Sequence, residues 1–105
     1  MIAVDKETFQ AEVKDAKGYV FVDFWSEGCE TCKELMPTVE ALADQYGSRL
    51  KFAKLDIAKA RRLAIGEKVL GLPTMVLYKD GEKVDEVNKD DATADSIEAM
   101  IKKIL

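Results

Sequence analysis

The length, composition and charge of the chain indicate one compact domain. Its 105 residues are 48% hydrophobic and 34% charged, with few Gly and Pro, which excludes disorder, collagen-like repeats and low-complexity linkers. The formal net charge of -4 argues against nucleic acid and anionic membranes as partners, because both would repel the chain. We expect residues 1–105 to fold as a single soluble domain and to act as a monomer.

Signals for export or membrane insertion are missing from the sequence. The start, MIAVDKETFQ, has no apolar signal core, and no later stretch approaches the roughly 18 apolar residues that a membrane span requires. These absences predict a cytoplasmic protein. Because the cytosol is reducing, a CxxC pair there is more often catalytic or metal-binding than a permanent crosslink.

The first half of the chain alternates between strand and helix patterns. YVFVDFW is almost continuously β-branched or aromatic, as expected for a strand that is covered on both faces. Apolar residues at helical spacing predict a long amphipathic helix after it. The predicted elements are a short apolar strand at Ile2 to Val4, a helix from Asp5 to about Lys14, a strand from Tyr19 to Trp25, and the long helix from Glu30 to Tyr46.

The second half continues this alternation and ends in a hairpin and a helix. The Asp80-Gly81 dipeptide is the favoured two-residue turn between two strands. The predicted elements are a strand from Lys51 to Ile57, a helix from Lys59 to about Glu67, strands at Thr74 to Lys79 and Glu82 to Val87, and a final helix capped near Thr93. The order β-α-β-α-β-α-β-β-α predicts an α/β three-layer sandwich with helices on both faces of the sheet.

The only two cysteines, Cys29 and Cys32, stand at the start of the long helix. Residues i and i+3 of a helix lie about 5 to 6 Å apart, so the pair can open and close a disulfide with little backbone motion. At a helix N-terminus, free N–H groups and the macrodipole stabilise a thiolate at Cys29, whereas Cys32 lies on the apolar stripe. We predict that Cys29 is the nucleophile and that Cys32 resolves the mixed disulfide, without any cofactor.

Two other uses of a CxxC pair stay open at this point. A zinc site requires four ligands, usually Cys or His, and this chain has no His and no further Cys, so we predict no metal site. Carboxylates or a second chain would have to complete such a site. A static structural disulfide is the other alternative, although a reducing compartment disfavours it.

Five features of the chain occur in an order and spacing that resemble the thioredoxin family. They are the strand VDFW, the CxxC pair followed by Lys33, the proline at position 37 inside the helix, the segment AKLDI that contains Lys54, and GLPT at positions 71–74. The resemblance extends over essentially the whole chain.

The resemblance implies the thioredoxin fold, with four helices and a central five-stranded mixed sheet in the strand order 1-3-2-4-5. It also implies that the last two strands are antiparallel to the others and that the bond before Pro73 is cis. In the family, this loop lies against the two sulfurs. Gly71, Leu72 and Pro73 are therefore implied substrate-binding residues, and the backbone of Leu72 is implied to pair with the substrate chain.

Asp23 shares a strand face with Phe21 and Trp25 in an apolar run, which predicts a buried carboxyl with a raised pKa. We hypothesise that Asp23 accepts the proton of Cys32 during resolution and that Lys54 is its charge partner. A merely solvated aspartate at the strand end is the alternative. Trp25 is expected mainly to pack over a core edge and also to shield the sulfurs at the substrate-binding surface.

The sequence departs from the family at the active tip. Glu30 and Thr31 replace the usual Gly-Pro between the cysteines, and Gly28 replaces the usual Trp before them. Gly28 removes an aromatic contact and allows a partner backbone to approach closely. We expect these changes to affect the reduction potential and the choice of partner more than the reaction type.

The sequence therefore predicts a thiol-disulfide oxidoreductase that reduces protein disulfides and receives its electrons from a thioredoxin reductase. A glutaredoxin-like enzyme that uses glutathione is one alternative. A non-catalytic adaptor with the same fold is the other, with the cysteines incidental.

Overall fold

Strands and helices alternate along the chain, of which the computed structural model describes residues 1–105. The strands are β1 (Ile2–Val4), β2 (Tyr19–Trp25), β3 (Lys51–Asp56), β4 (Thr74–Lys79) and β5 (Glu82–Asn88). The helices are a π-helix (Gln10–Lys14), α1 (Glu30–Tyr46), α2 (Arg61–Gly66) and α3 (Ala94–Lys102), with 3-10 turns at Ile57–Lys59 and Lys89–Asp91. The predicted strand and helix order is confirmed.

One five-stranded sheet has the order β1-β3-β2-β4-β5, as the family resemblance implied. β3 is parallel to both β1 and β2, whereas β4 is antiparallel to β2. The implied direction of the last strand is wrong, because β5 is antiparallel to β4 and so runs in the same direction as β1, β2 and β3. A two-residue turn must reverse the chain, so two hairpin strands cannot share a direction.

Two apolar clusters fill the spaces on the two faces of the sheet. Successive side chains of a strand point to opposite faces, so Val20, Val22 and Phe24 of β2 join one cluster while Phe21 joins the other. The first cluster includes residues of the π-helix and α2, and the second includes residues of α1 and α3. β2 is covered on both faces, as its continuous apolar sequence predicts.

The first helix is shorter than predicted. Asp5 does cap a turn, since its Oδ1 accepts hydrogen bonds from the backbone N–H groups of Glu7 and Thr8, both at 2.9 Å. Regular helical structure begins only at Gln10 and takes the wider π form, with the N–H of Asp15 bonded to the carbonyl of Gln10 at 2.8 Å. Apolar spacing alone does not distinguish an α-helix from this single wide turn.

Short-range sequence features determine the hairpin turn and the start of the last helix. Asp80 and Gly81 both have positive φ, +52° and +85°, as the favoured two-residue turn requires. Thr93 caps α3 in a reciprocal arrangement with Ser96, in which each side chain accepts a hydrogen bond from the other residue's backbone N–H, at 3.1 and 2.9 Å. The hairpin and the cap lie where the sequence predicts them.

Candidate active site

Cys29 and Cys32 form a disulfide at the N-terminus of α1, with their Cα atoms 5.2 Å apart. Cys29 is the N-cap of the helix and has an extended backbone, and its sulfur accepts a hydrogen bond from the N–H of Cys32 at 3.2 Å. Cys32 is fully buried, whereas Cys29 is partly exposed. The predicted difference between the two sulfurs is confirmed, because only Cys29 is accessible to a partner.

Asp23 is buried on the face of the sheet that α1 and α3 cover. Its antiparallel neighbour is Met75, which belongs to the cluster on that face, and its own exposure is 0%. Neither carboxyl oxygen has a hydrogen-bond partner within the protein. Burial raises the pKa of Asp23 to about 7, although the positive charge of Lys54 opposes this change. The alternative of a solvated aspartate at the strand end is excluded.

Asp23 and Cys32 lie in the same layer of the protein. Cys32 precedes Val39 by seven residues, two helical turns, and so lies on the α1 stripe that packs against the sheet face of Asp23. Only four residues separate the end of β2 from the start of α1, so both residues are near the same end of the sheet.

Lys54 pairs in register with Asp23 across β2 and β3, so the two side chains leave the same sheet face. No ion pair within 4.0 Å joins them, since Lys54 is absent from every salt bridge of the protein. Lys54 therefore acts on Asp23 as a charge at a distance. Its side chain also lines an open groove of about 440 Å³ together with Trp25 and Glu27.

The Leu72–Pro73 peptide bond is cis, as the family resemblance implied. The loop is fixed on both sides of this bond, because the Thr74 hydroxyl donates to the carbonyl of Gly71 and the N–H of Lys89 donates to the carbonyl of Pro73, both at 2.7 Å. Thr74 pairs in register with Phe24, next to the end of β2. The predicted substrate loop and the disulfide therefore lie near the same end of the sheet.

Two features of this loop are not among those that the sequence predicts. The aliphatic part of the Lys89 side chain crosses directly over Gly71, where a Cβ atom would collide with it. Leu70 precedes Gly71 and is 79% exposed, the largest exposure among the large apolar residues. A large apolar residue next to glycine, such as Leu70, is a pattern in the local sequence that can indicate a contact surface. The crossing of Lys89 over Gly71 depends on the fold, so no pattern in the local sequence predicts it.

Acidic residues dominate the exposed surface around the disulfide. Glu27, Gly28 and Glu30 are all exposed, and the space beside the Gly28 Cα atom is open. The ammonium group of Lys33 lies 3.9 Å from the Glu27 carboxylate. Both side chains are largely exposed, so this ion pair contributes little to stability. The protein itself therefore leaves the space over Gly28 unfilled.

The fold and this site together define a thiol-disulfide oxidoreductase. Its parts are a cysteine pair at a helix N-terminus, one accessible and one buried sulfur, a cis-proline loop near the same end of the sheet, and a buried carboxyl in the same layer. None of the helices is long and apolar enough to cross a membrane.

Comparison with known proteins gives the family. The family model described as "Thioredoxin" matches residues 1–103. The chain is 59% identical to "Thioredoxin" of Acetoanaerobium sticklandii over the full length of both chains. It is 56% identical to "Thioredoxin" of Peptoclostridium acidaminophilum, over 98% of this chain and 94% of that one. The chain belongs to the thioredoxin family.

Proposed function

We propose that Cys29 attacks one sulfur of a protein disulfide and that Cys32 completes the reduction. The main observation behind these roles is the division of the cysteine pair into a partly exposed N-cap sulfur and a fully buried sulfur. Attack by the Cys29 thiolate breaks the substrate disulfide, forms a mixed disulfide and releases one substrate thiolate. Attack by Cys32 on Cys29 then releases the second thiolate and forms the internal disulfide, so that two electrons pass to the substrate.

The helix N-terminus supports the role of Cys29 as the attacking thiolate. Cys29 precedes the first turn of α1, whose backbone N–H groups are free of intrahelical partners and carry positive partial charge. The N–H of Cys32 already donates to the Cys29 sulfur at 3.2 Å, and the same donor would stabilise a thiolate there. These contacts favour the thiolate form of a cysteine at that position.

Asp23 supports the role of Cys32 as the resolving thiol. Cys32 must lose a proton before it attacks, and because it is buried, bulk water does not reach it. Asp23 lies in the same layer, has no hydrogen-bond partner and has a pKa of about 7, so it can accept this proton near neutral pH. Lys54 stabilises the carboxylate that is left after the proton is passed on.

The cis-proline loop supports binding of an extended substrate segment. Leu72 is partly exposed in the loop before β4, and its neighbours Gly71 and Pro73 are each fixed by a hydrogen bond through their carbonyl groups. The backbone of Leu72 is free to pair with a substrate strand, while Trp25 covers the edge of the site. The protein works as a cytoplasmic monomer that a thioredoxin reductase re-reduces.

A trapping experiment tests this function. The Cys32→Ser variant, mixed with an oxidised protein substrate, should accumulate a mixed disulfide through Cys29, whereas the matched Cys29→Ser variant should accumulate none. Turnover of the unaltered protein should be faster with a flavin-dependent thioredoxin reductase as electron donor than with glutathione. No trapped complex with Cys32→Ser would contradict the proposal, and a preference for glutathione would support the glutaredoxin-like alternative instead.

A further inference from the structure

A groove on the surface of α2 concentrates positive charge in a chain whose net charge is negative. The groove has a volume of about 290 Å³ and is lined by four cationic side chains with no carboxylate; these four, Lys6, Lys59, Arg61 and Arg62, are called the basic groove below. All four are exposed to solvent. The whole chain has a formal net charge of -4, so the positive charge of this groove is opposite in sign to that of the protein as a whole.

None of the four cations forms a salt bridge within the protein. The five salt bridges of the protein use Lys14, Lys33, Lys51, Lys83 and Lys102, and none uses a residue of the basic groove. The carboxylates of Asp5 and Asp56 lie in the adjacent groove, where each accepts hydrogen bonds from local backbone N–H groups and neither forms a salt bridge with these cations. Four adjacent cations that repel one another and have no internal partner favour an external anion.

The basic groove shares a lining residue with a second groove that contains neighbours of the active site. Lys59 lines both the basic groove and the neighbouring groove of about 440 Å³. Trp25 and Glu27, which precede Cys29 in the chain, also line that second groove, together with the carboxylates of Asp5 and Asp56. The second groove therefore gives a polypeptide bound at Cys29 a route past Trp25 to Lys59.

We propose that the basic groove binds an acidic segment of the disulfide protein that this chain reduces. This inference rests on the proposed function and adds the charge of the substrate to it. The groove is open and its cations are spread over exposed side chains, a form that suits a chain of carboxylates better than an enclosed phosphate group. The two arginines add bidentate contacts to carboxylates.

The basic groove acts mainly on the association rate and the orientation of the acidic segment. Exposed ion pairs contribute little to affinity individually, but a group of like charges steers an oppositely charged partner and can raise its association rate about tenfold or more. The acidic surface around Glu27 and Glu30 repels the same partner. The two surfaces together orient an acidic segment toward α2 and away from the sulfurs.

Two families of synthetic peptides test the inference. Each peptide contains one disulfide and a run of either glutamate or glutamine, placed before the disulfide in one version and after it in another. The rate of reduction by the dithiol protein is measured at low and high ionic strength. At about 10 mM salt, one glutamate peptide should react at least about threefold faster than its glutamine counterpart, and this advantage should disappear at about 0.5 M salt.

Two double variants with equal charge provide the control. Arg61→Gln/Arg62→Gln and Lys102→Gln/Lys103→Gln each change the formal net charge from -4 to -6. The second pair lies at the C-terminal end of α3, which packs on the sheet face opposite to α2. The first variant should lose the glutamate advantage and the second should keep it, while both reduce the glutamine peptides at the rate of the unaltered protein.

The outcomes separate this inference from the proposed function. If no peptide is reduced, the proposed function fails and the inference fails with it. If the glutamine peptides are reduced but the glutamate peptides gain no rate, or if both variants lose the advantage equally, the inference alone is overturned. If inorganic pyrophosphate shifts the NMR amide resonances of residues 59–63 while the glutamate peptides gain nothing, the groove is a phosphate site and the acidic-segment proposal is wrong.

Discussion

Replacing Asp23 by asparagine should stabilise the protein more as the pH rises. The carboxyl is fully buried without a hydrogen-bond partner, and burial raises its pKa from 3.8 to about 7. Between these values, the unfolded chain has lost the proton while the folded chain keeps it. The unfolded state then binds fewer protons, so the free energy of unfolding falls as the pH rises through this interval. A neutral asparagine removes this loss.

The size of the effect follows from the two pKa values. They differ by about three pH units, and each unit corresponds to about 1.4 kcal/mol, so the ionised carboxyl destabilises the fold by about 4 kcal/mol at pH 8 relative to pH 3. The buried asparagine amide is also without a partner, which costs about 1–3 kcal/mol at every pH. We therefore compare the two proteins by the difference between their free energies of unfolding and follow how this difference changes with pH. The constant cost of the asparagine amide does not affect that change.

Urea unfolding of the oxidised proteins, followed by circular dichroism from pH 3 to pH 8, measures this quantity. The stability of Asp23→Asn relative to the unaltered protein should increase by about 4 kcal/mol across the range and level off above pH 7. Asp90→Asn makes the same chemical change at an exposed position and serves as the control. Parallel stability curves for the unaltered protein and Asp23→Asn, or a difference that grows toward low pH, would refute the assignment of a raised pKa.

The remaining predictions concern stability and use thermal or urea unfolding. Tyr78→Phe should lose about 1.5 kcal/mol, because the Tyr78 hydroxyl donates a 2.6 Å hydrogen bond to the Glu67 carboxylate; an unchanged melting temperature would contradict this. Thr93→Ala should lower the free energy of unfolding by about 1 kcal/mol because it removes the side-chain cap of α3, whereas Thr93→Ser should retain most of the capping stability. Gly81→Ala should lose at least about 2 kcal/mol, because φ is +85° and a Cβ atom would collide with the Lys14 carbonyl oxygen, whereas Gly66→Ala, with open space, should lose almost nothing.

Elements with short-range signals could be predicted from the sequence. The helix from Glu30 to Tyr46 has the bounds that its apolar spacing indicates, and the Asp80-Gly81 turn has the required positive φ at both residues. The two cysteines are three residues apart, so their pairing depends only on local helix geometry. Asp23 could be placed in the core because strand alternation fixes its face and the neighbouring residues are apolar.

Features that join distant parts of the chain could not be predicted. Lys6 and the segment from Lys59 to Arg62 form one groove only because β1 and β3 are neighbours in the sheet. The crossing of Lys89 over Gly71 likewise depends on the β4-β5 pairing and the turn after it. The distance between the charged groups of Asp23 and Lys54 could not be predicted either. The strand register makes the two residues neighbours, but it does not determine whether their charged groups touch. Side-chain conformation decides it, and here the groups stay apart.

The burial of Asp23 is better explained by proton transfer than by folding. A carboxyl without a partner destabilises the protein at neutral pH, and an apolar residue at this position would pack against Met75 without that cost. A nearby ion pair with Lys54 would remove most of the cost, but it would also lower the pKa of Asp23 and make the carboxylate a weaker base. Keeping Lys54 at a distance leaves the pKa near 7, where the group can both take a proton from Cys32 and return one in the next cycle. The separation between Lys54 and Asp23 therefore accounts both for the destabilising effect of the buried carboxyl and for its proposed role as proton acceptor. Asp23→Asn should slow the resolving step by at least about tenfold near pH 7 while it stabilises the fold.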